Sequence, residues 1–123
     1  MTLQELYAMV DGDYNQAVKI MKMDKLIDRY VRKFENNGTD KSLAAARDSM
    51  DPTALFESAH GMKGVCSNLG FVKLAAGAEE ITEEFRPGNA RKLSDEEVKA
   101  KIDDLLKDFD KTVEGIRKYT EEA

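Results

Sequence analysis

Apolar residues recur at intervals of three and four along most of this 123-residue chain. The clearest stripe comprises Val98, Ile102, Leu105, Phe109, Val113 and Ile116. Similar stripes lie within residues 14–36, 55–69 and 70–85, and no segment shows the two-residue alternation of a half-buried strand. Spacings of three and four place side chains on one face of an α-helix. The chain is therefore expected to fold by packing amphipathic helices against one another.

Capping residues and glycines indicate where the helices begin and end. Thr2 with Glu5 and Ser94 with Glu97 each match a capping box, the pattern that starts a helix. Gly38 is placed to end a helix in the left-handed conformation. The predicted elements are a short N-terminal helix and helices over residues 14–36, 40–49, 52–68 and 70–85 and from 95 onwards.

Four of these helices are long and are joined by short connections. This pattern predicts an all-α fold, an antiparallel four-helix bundle in up-down-up-down order with a short additional N-terminal helix. At this length a single domain is expected, over residues 1–123 with its core at about 13–120. The bundle is expected to be monomeric.

Charge and cysteine content limit the classes of partner. A formal net charge of −5 argues against nucleic acid or an anionic membrane as the partner. A single cysteine excludes an internal disulfide and suits a reducing compartment. No apolar run approaches the ~20 residues of a membrane span, and no signal-peptide pattern opens the chain. A cytoplasmic protein is therefore expected.

The single histidine, His60, is expected to face solvent. The buried face of its helix is formed by side chains within about 40° of one line, namely Leu55, Ala59, Met62, Cys66 and Leu69. His60 lies about 140° from that line, Lys63 about 80° from it, and Gly64 opposite to it. The imidazole thus has an ammonium group one turn away and a position with no side chain beside it. This is the environment of a nucleophile rather than of a packed core histidine.

Two features of the same helix leave alternatives open. Gly61 and Gly64 each cost about 1 kcal/mol relative to alanine inside a helix. Either a partner approaches closely at these positions or the helix packs tightly against a neighbour. Phe56, one turn before His60, is either a partly exposed apolar contact or packs against the first helix.

Metal, hydrolase and redox sites have little support in the residue types present. One histidine and one cysteine on different helix faces do not make a tetrahedral metal site. No Gly-x-Ser-x-Gly elbow accompanies the serines near His60. Cys66 belongs to the buried face and is interpreted as a core residue. The clustered glutamates are interpreted as a solvated helix face; they are Glu79, Glu80, Glu83 and Glu84.

One segment resembles the signature of histidine-containing phosphotransfer (HPt) domains: residues 60–70 are His-Gly-Met-Lys-Gly-Val-Cys-Ser-Asn-Leu-Gly. The family pattern is His-x-Leu-Lys-Gly, two small residues, two variable residues, an apolar residue and glycine. The resemblance in helix order extends from about residue 13 to the last helix. It implies that His60 is the phosphoacceptor, that Lys63 stabilises the phosphoryl oxygens, and that Gly64 leaves room for the partner's active site.

The resemblance also assigns two positions on the following helix. By spacing from His60, Thr82 occupies the position where the family commonly has a glutamine that hydrogen-bonds the far imidazole nitrogen, and threonine is shorter. Arg86 corresponds to a basic residue further along that helix. The family needs no cofactor of its own, and Mg²⁺ is expected on the partner receiver domain.

The resemblance implies a phosphoryl carrier of a two-component phosphorelay, without its own ATP site or kinase activity. His60 would accept a phosphoryl group from a receiver-domain aspartate or a kinase and pass it to another receiver. The expected partners are response-regulator receiver domains and sensor histidine kinases. The alternative is a non-catalytic helical adaptor that binds a receiver domain or kinase without carrying phosphate. The lack of a linker after the last helix favours a stand-alone protein, and a domain excised from a larger kinase is the alternative.

Overall fold

The computed structural model describes residues 1–122, which contain helices and no strand. The helices are α1 (Leu3–Met9), α2 (Tyr14–Met21), α3 (Asp24–Lys33), α4 (Thr39–Ser49), α5 (Pro52–Asn68), α6 (Val72–Phe85) and α7 (Asp95–Glu122). A short 3₁₀ turn (Phe34–Asn36) lies between α3 and α4. The predicted all-α fold is confirmed. Within the described range no helix is both long enough and apolar enough to cross a membrane.

The central bundle is a ring of four helices. α5 packs against α4 and α6, and α7 closes the ring because it packs against both α4 and α6. Short connections make successive helices antiparallel. α1 and α3 lie against α7, and α2 lies against α5. The predicted antiparallel four-helix bundle with additional N-terminal helical structure is confirmed, but its membership differs from the prediction. The helix α4, predicted as a short element, takes the place that was assigned to residues 14–36, and α1, α2 and α3 pack on the outside of the ring.

The aromatic part of the core joins the N-terminal helices to the bundle. The ring of Phe34 lies 5.0 Å from that of Phe71 and 4.9 Å from that of Phe109, measured between centroids. Tyr7 extends the cluster, with its ring 5.3 Å from Phe71. All four side chains are almost completely buried. Because edge and tilted aromatic contacts add to the effect of burial, this cluster stabilises the end of the bundle near the α5–α6 turn.

The prediction of one helix over residues 14–36 is wrong. The chain turns at Lys22, whose backbone φ is 74°, so that α2 and α3 are separate helices. A left-handed residue other than glycine costs about 1–2 kcal/mol, but the turn lets both helices bury apolar residues. α2 buries Ala17 on the side of α5, while α3 buries Ile27 and Val31 on the side of α7. Hydrophobic spacing alone did not reveal the break, because a lysine carries no turn signal.

The predicted helix starts are confirmed by hydrogen bonds. At α1, Glu5 N donates to Thr2 Oγ1 and Thr2 N donates to Glu5 Oε1. The same reciprocal pair joins Ser94 and Glu97 at the start of α7. Gly38 has a φ of 83°, as predicted, and directly precedes α4.

Three hydrogen bonds connect the end of α5 to the N-terminal helices. Asp13 N donates to the carbonyl of Gly70 at 2.7 Å. Gln16 Nε2 donates to Ser67 O at 3.0 Å, and the Tyr7 hydroxyl donates to Leu69 O at 2.6 Å. These bonds use carbonyl groups at and just after the end of α5, where the helix itself supplies few donors. They fix the orientation of the helix that carries His60.

Glu84 contradicts the interpretation of the glutamates as a solvated face, because it is only 7% exposed. Its Oε2 accepts hydrogen bonds from Lys92 N at 3.0 Å, Leu93 N at 2.9 Å and Arg91 Nε at 3.2 Å. Burial raises the pKa of Glu84, but these three donors lower it by more, so that the pKa lies below its ordinary value. The carboxylate thus holds the α6–α7 loop against the end of α6.

Replacing Glu84 by glutamine is expected to lower the free energy of unfolding by about 1–3 kcal/mol at pH 7, because buried donors lose a charged acceptor. A carboxylate with a depressed folded-state pKa stabilises fully above its unfolded pKa, about 4.3, and the contribution is lost as the pH falls through the folded value. The difference between wild type and variant, measured by urea unfolding, should therefore shrink below about pH 4. Glu80→Gln is the control, since Glu80 is exposed and pairs with Lys101 at the surface. An equal effect of both substitutions would contradict this role for Glu84.

Candidate functional site

Helix α5 presents His60 to solvent, as predicted. The Asp51 side chain accepts from Ala54 N at 3.1 Å, which caps the start of α5, and Pro52 occupies its first position. The buried face is the predicted one, with Leu55, Ala59, Met62 and Cys66 fully buried and Leu69 4% exposed. His60 lies on the opposite side and is exposed.

Gly61 and Gly64 make the helix surface beside His60 bare. Both are exposed, and a Cβ atom at either position would meet no atom within 4 Å. Tight packing against a neighbouring helix therefore does not explain these glycines. Close approach by a partner is the alternative that remains, because the missing side chains leave the backbone accessible to another molecule.

The imidazole of His60 stacks on the ring of Phe56. The two ring centroids are 5.7 Å apart and the planes differ by 8°. The guanidinium of Arg86, at the end of α6, lies over the same phenyl ring, with Cζ 5.4 Å from its centroid. Phe56 is partly buried. Of the two alternatives, a partly exposed apolar contact or packing against the first helix, the structure agrees with the first. Phe56 contacts both the imidazole and the guanidinium, and it therefore connects α5 to the end of α6.

Lys63 is bound by a carboxylate from α6. Its Nζ lies 2.6 Å from Oε2 of Glu79, and both side chains are a little over one-third exposed. Oε2 itself is inaccessible to water and receives no hydrogen bond from the described residues, so the contact is an ion pair without hydrogen-bond geometry. The ammonium group is therefore near His60 along α5 but is held on the side of α6.

A second ion pair lies one turn further along α6. Arg86 Nη2 is 2.8 Å from Oε1 of Glu83, and Nε donates to the same oxygen at 2.9 Å. The guanidinium lowers the pKa of Glu83 below its ordinary value, and Glu83 in turn raises the pKa of Arg86. Two cations and two carboxylates thus border the stack of His60 and Phe56, and their formal charges cancel.

The structure does not bring Thr82 to the imidazole. Thr82 is fully buried, and its hydroxyl donates to Ala78 O in its own helix at 2.8 Å. No hydrogen bond between Thr82 and His60 occurs within residues 1–122. The physical reason is the rotation of α6, which turns this position toward the core together with Ile81 and Phe85.

The other chemically active side chains near His60 are engaged elsewhere. Cys66 is fully buried, and burial raises the pKa of its thiol to about 12. Ser58 donates to Ser42 O at 3.3 Å. Residues 1–122 contain no group of three or more histidine, cysteine, aspartate or glutamate side chains that could hold a metal ion.

Sequence reasoning did not assign Glu79 and Glu83 to the site, and it left Phe56 undecided. The spacing of four places the two glutamates on one face of α6, but the sequence does not show which face of α6 lies beside His60. That depends on how α6 is rotated against α5. Only the packed structure places the two carboxylates next to Lys63 and Arg86.

Comparison with known proteins identifies the family. A family model described as the Hpt domain matches residues 25–112, which is more than half of the chain and includes all of α4, α5 and α6. No curated protein matches the chain. The matched region contains His60, Lys63 and Gly64 on the exposed side of α5. The chain therefore belongs to the Hpt domain family, whose function is of the phosphotransfer type in two-component signalling.

Proposed function

We propose that this protein is a phosphoryl carrier that accepts a phosphoryl group on His60 and passes it to a receiver domain. The observation that carries the proposal is the exposed imidazole of His60, which has both a lysine, Lys63, and a position without a side chain, Gly64, on the next turn of the helix. A carrier needs a nucleophile that two different active sites can reach in turn. An exposed ring with no side chain at the fourth residue beyond it meets that requirement.

The proposed reaction is transfer between an aspartyl phosphate and the imidazole. In its neutral form an imidazole carries a lone pair on one ring nitrogen. That nitrogen attacks the phosphorus of the partner's acyl phosphate. The N–P bond forms as the P–O bond to aspartate breaks, and the carboxylate leaves with the electron pair. The other ring nitrogen keeps or releases its proton, and the reverse reaction passes the phosphoryl group to a second aspartate.

The side chains around His60 have separate roles in this proposal. Lys63 stabilises phosphoryl oxygens through its ammonium group, and Arg86 adds positive charge beside Phe56. Gly64 gives the partner's active site access to the ring. Thr82 is not assigned a role, because its hydroxyl is buried and bonded to Ala78.

The proposed partners are response-regulator receiver domains and, for the first phosphorylation, a receiver domain or a sensor histidine kinase. Mg²⁺ would be supplied by the receiver domain, where it neutralises the phosphoryl oxygens during transfer. We propose that the protein acts as a monomer in the cytoplasm, without nucleic acid or a membrane as a partner.

The experiment uses radiolabelled phospho-receiver domains, comprising all receivers encoded by the source organism. Wild type should gain label from at least one of them, and the label should be lost in acid and stable in base, as expected for an N–P bond. His60→Gln should bind the same receiver without gaining label. Binding by wild type without label from any receiver would support the adaptor and overturn the carrier.

A further inference from the structure

The ion pair between Lys63 and Glu79 has a consequence for the energy of the phosphorylated protein. Lys63 follows His60 by three residues, so both side chains lie on neighbouring turns of α5. Glu79 reaches the ammonium from α6, with Nζ and Oε2 only 2.6 Å apart. A lysine has a flexible four-carbon side chain, so its ammonium group can pair with either of two nearby anions. In the unphosphorylated protein Lys63 pairs with Glu79.

We propose that Glu79 is a positioning residue that competes with the phosphoryl group for Lys63, and so keeps phosphohistidine at His60 ready for transfer. The inference rests on the proposed function, since it concerns the phosphorylated state of His60. When the phosphoryl group arrives, Lys63 must leave Glu79 in order to neutralise it. The free energy of breaking that ion pair is added to the phosphorylated state.

The surroundings of Glu79 make this competition effective. Its Oε2 is closed off from water and accepts no hydrogen bond from the described residues, and Lys63 is the cation in direct contact with it. The next cation along α6, Arg86, is already bound by Glu83. A carboxylate that loses its nearest counter-charge at a partly buried position is destabilised.

The formal charges around His60 also indicate that Glu79 competes with the phosphoryl group for Lys63. Lys63 and Arg86 are matched by Glu79 and Glu83, so that these four side chains carry no net formal charge. A phosphoryl group brings about two negative charges to a site whose two cations are already paired. Removal of the Glu79 carboxylate leaves the Lys63 ammonium without its partner in direct contact, so that it is available to the phosphoryl group and favours the phosphorylated form.

Glu79→Gln should therefore raise the equilibrium ratio of label on His60 to label on a receiver aspartate by about three- to tenfold. The ratio is measured after the protein and one radiolabelled phospho-receiver have reached equilibrium in Mg²⁺. Glu80→Gln is the matched control, because it makes the same charge change at the next residue, on a side chain paired with Lys101 of α7 at 2.9 Å. That control should leave the ratio within about twofold of wild type.

The double variant tests whether Glu79 acts through Lys63. In a Lys63→Ala background, Glu79→Gln should change the ratio by less than about twofold, because the group that the two anions compete for is gone. A full effect in that background, or a ratio lowered by Glu79→Gln alone, overturns the inference. Thermal unfolding of each variant establishes that it is folded.

The outcome also separates this inference from the proposed function. If wild type gains no label from any receiver, the carrier function has failed. If wild type gains label and Glu79→Gln leaves the ratio unchanged, the carrier function stands and the competition by Glu79 is wrong.

Discussion

A Gly64→Gln protein should fold normally and transfer phosphate at least about 100-fold more slowly than wild type, since small displacements of reacting groups cost rates of this order. A Cβ at this position meets no atom within 4 Å, so nothing inside the protein opposes the side chain. Removing a glycine from a helix interior should instead stabilise the fold by about 0.5–1 kcal/mol. The expected result is thus a more stable protein with less activity.

A series of side-chain sizes at this position provides the control. Gly64→Ala should gain similar stability and keep most of the transfer rate, because a methyl group extends little beyond the helix backbone. The measurements are the rate of label transfer from a phospho-receiver and the urea midpoint of unfolding. If Gly64→Gln transferred phosphate as fast as wild type, the role of this glycine in partner access would be wrong.

Replacing Gly70 by alanine should have the opposite result, a loss of about 2–5 kcal/mol in the free energy of unfolding. Gly70 has a φ of 71°, and its Cβ would clash with the backbone carbonyl oxygen of Asp13. Asp13 is held close to Gly70 because its own N–H donates to the Gly70 carbonyl. Since the clashing oxygen is a backbone atom, rotation of a side chain cannot relieve the contact. The substitution would push α2 away from the end of α5.

Gly88→Ala isolates one part of this effect. Gly88 also has a positive φ, 93°, but its Cβ would meet nothing within 4 Å. Its substitution should cost only the conformational strain, about 1–2 kcal/mol. Urea unfolding of both variants gives the comparison. Equal losses would mean that the contact between Gly70 and Asp13 is not tight.

The sequence predicted the exposed side of α5 well because helix geometry alone determines it. Leu55, Met62 and Cys66 define the buried face, and His60 must then point away from it. The same reasoning places Gly64 opposite the buried face, but it left open whether a neighbouring helix packs there, and the structure shows open space at that position.

The remaining errors concern how helices are placed against each other. Thr82 was assigned by its distance along the chain from His60, but the rotation of α6 places its hydroxyl in the core. The same rotation places Glu79 beside Lys63 and buries Glu84 under a loop. Lys22 breaks a continuous apolar pattern because packing on α5 and α7 outweighs its backbone strain. Each of these features depends on how two or more helices pack together. The spacing of residues within one helix therefore cannot predict them.

The most direct test of the carrier function is a two-step transfer. Wild type labelled by a phospho-receiver is separated from that donor and mixed with a fresh, unphosphorylated receiver domain in Mg²⁺. The account predicts that label leaves His60 and appears on the receiver aspartate, and that His60→Gln taken through the same steps delivers none. Label that stays on His60 with every receiver, or label delivered by His60→Gln, would contradict it.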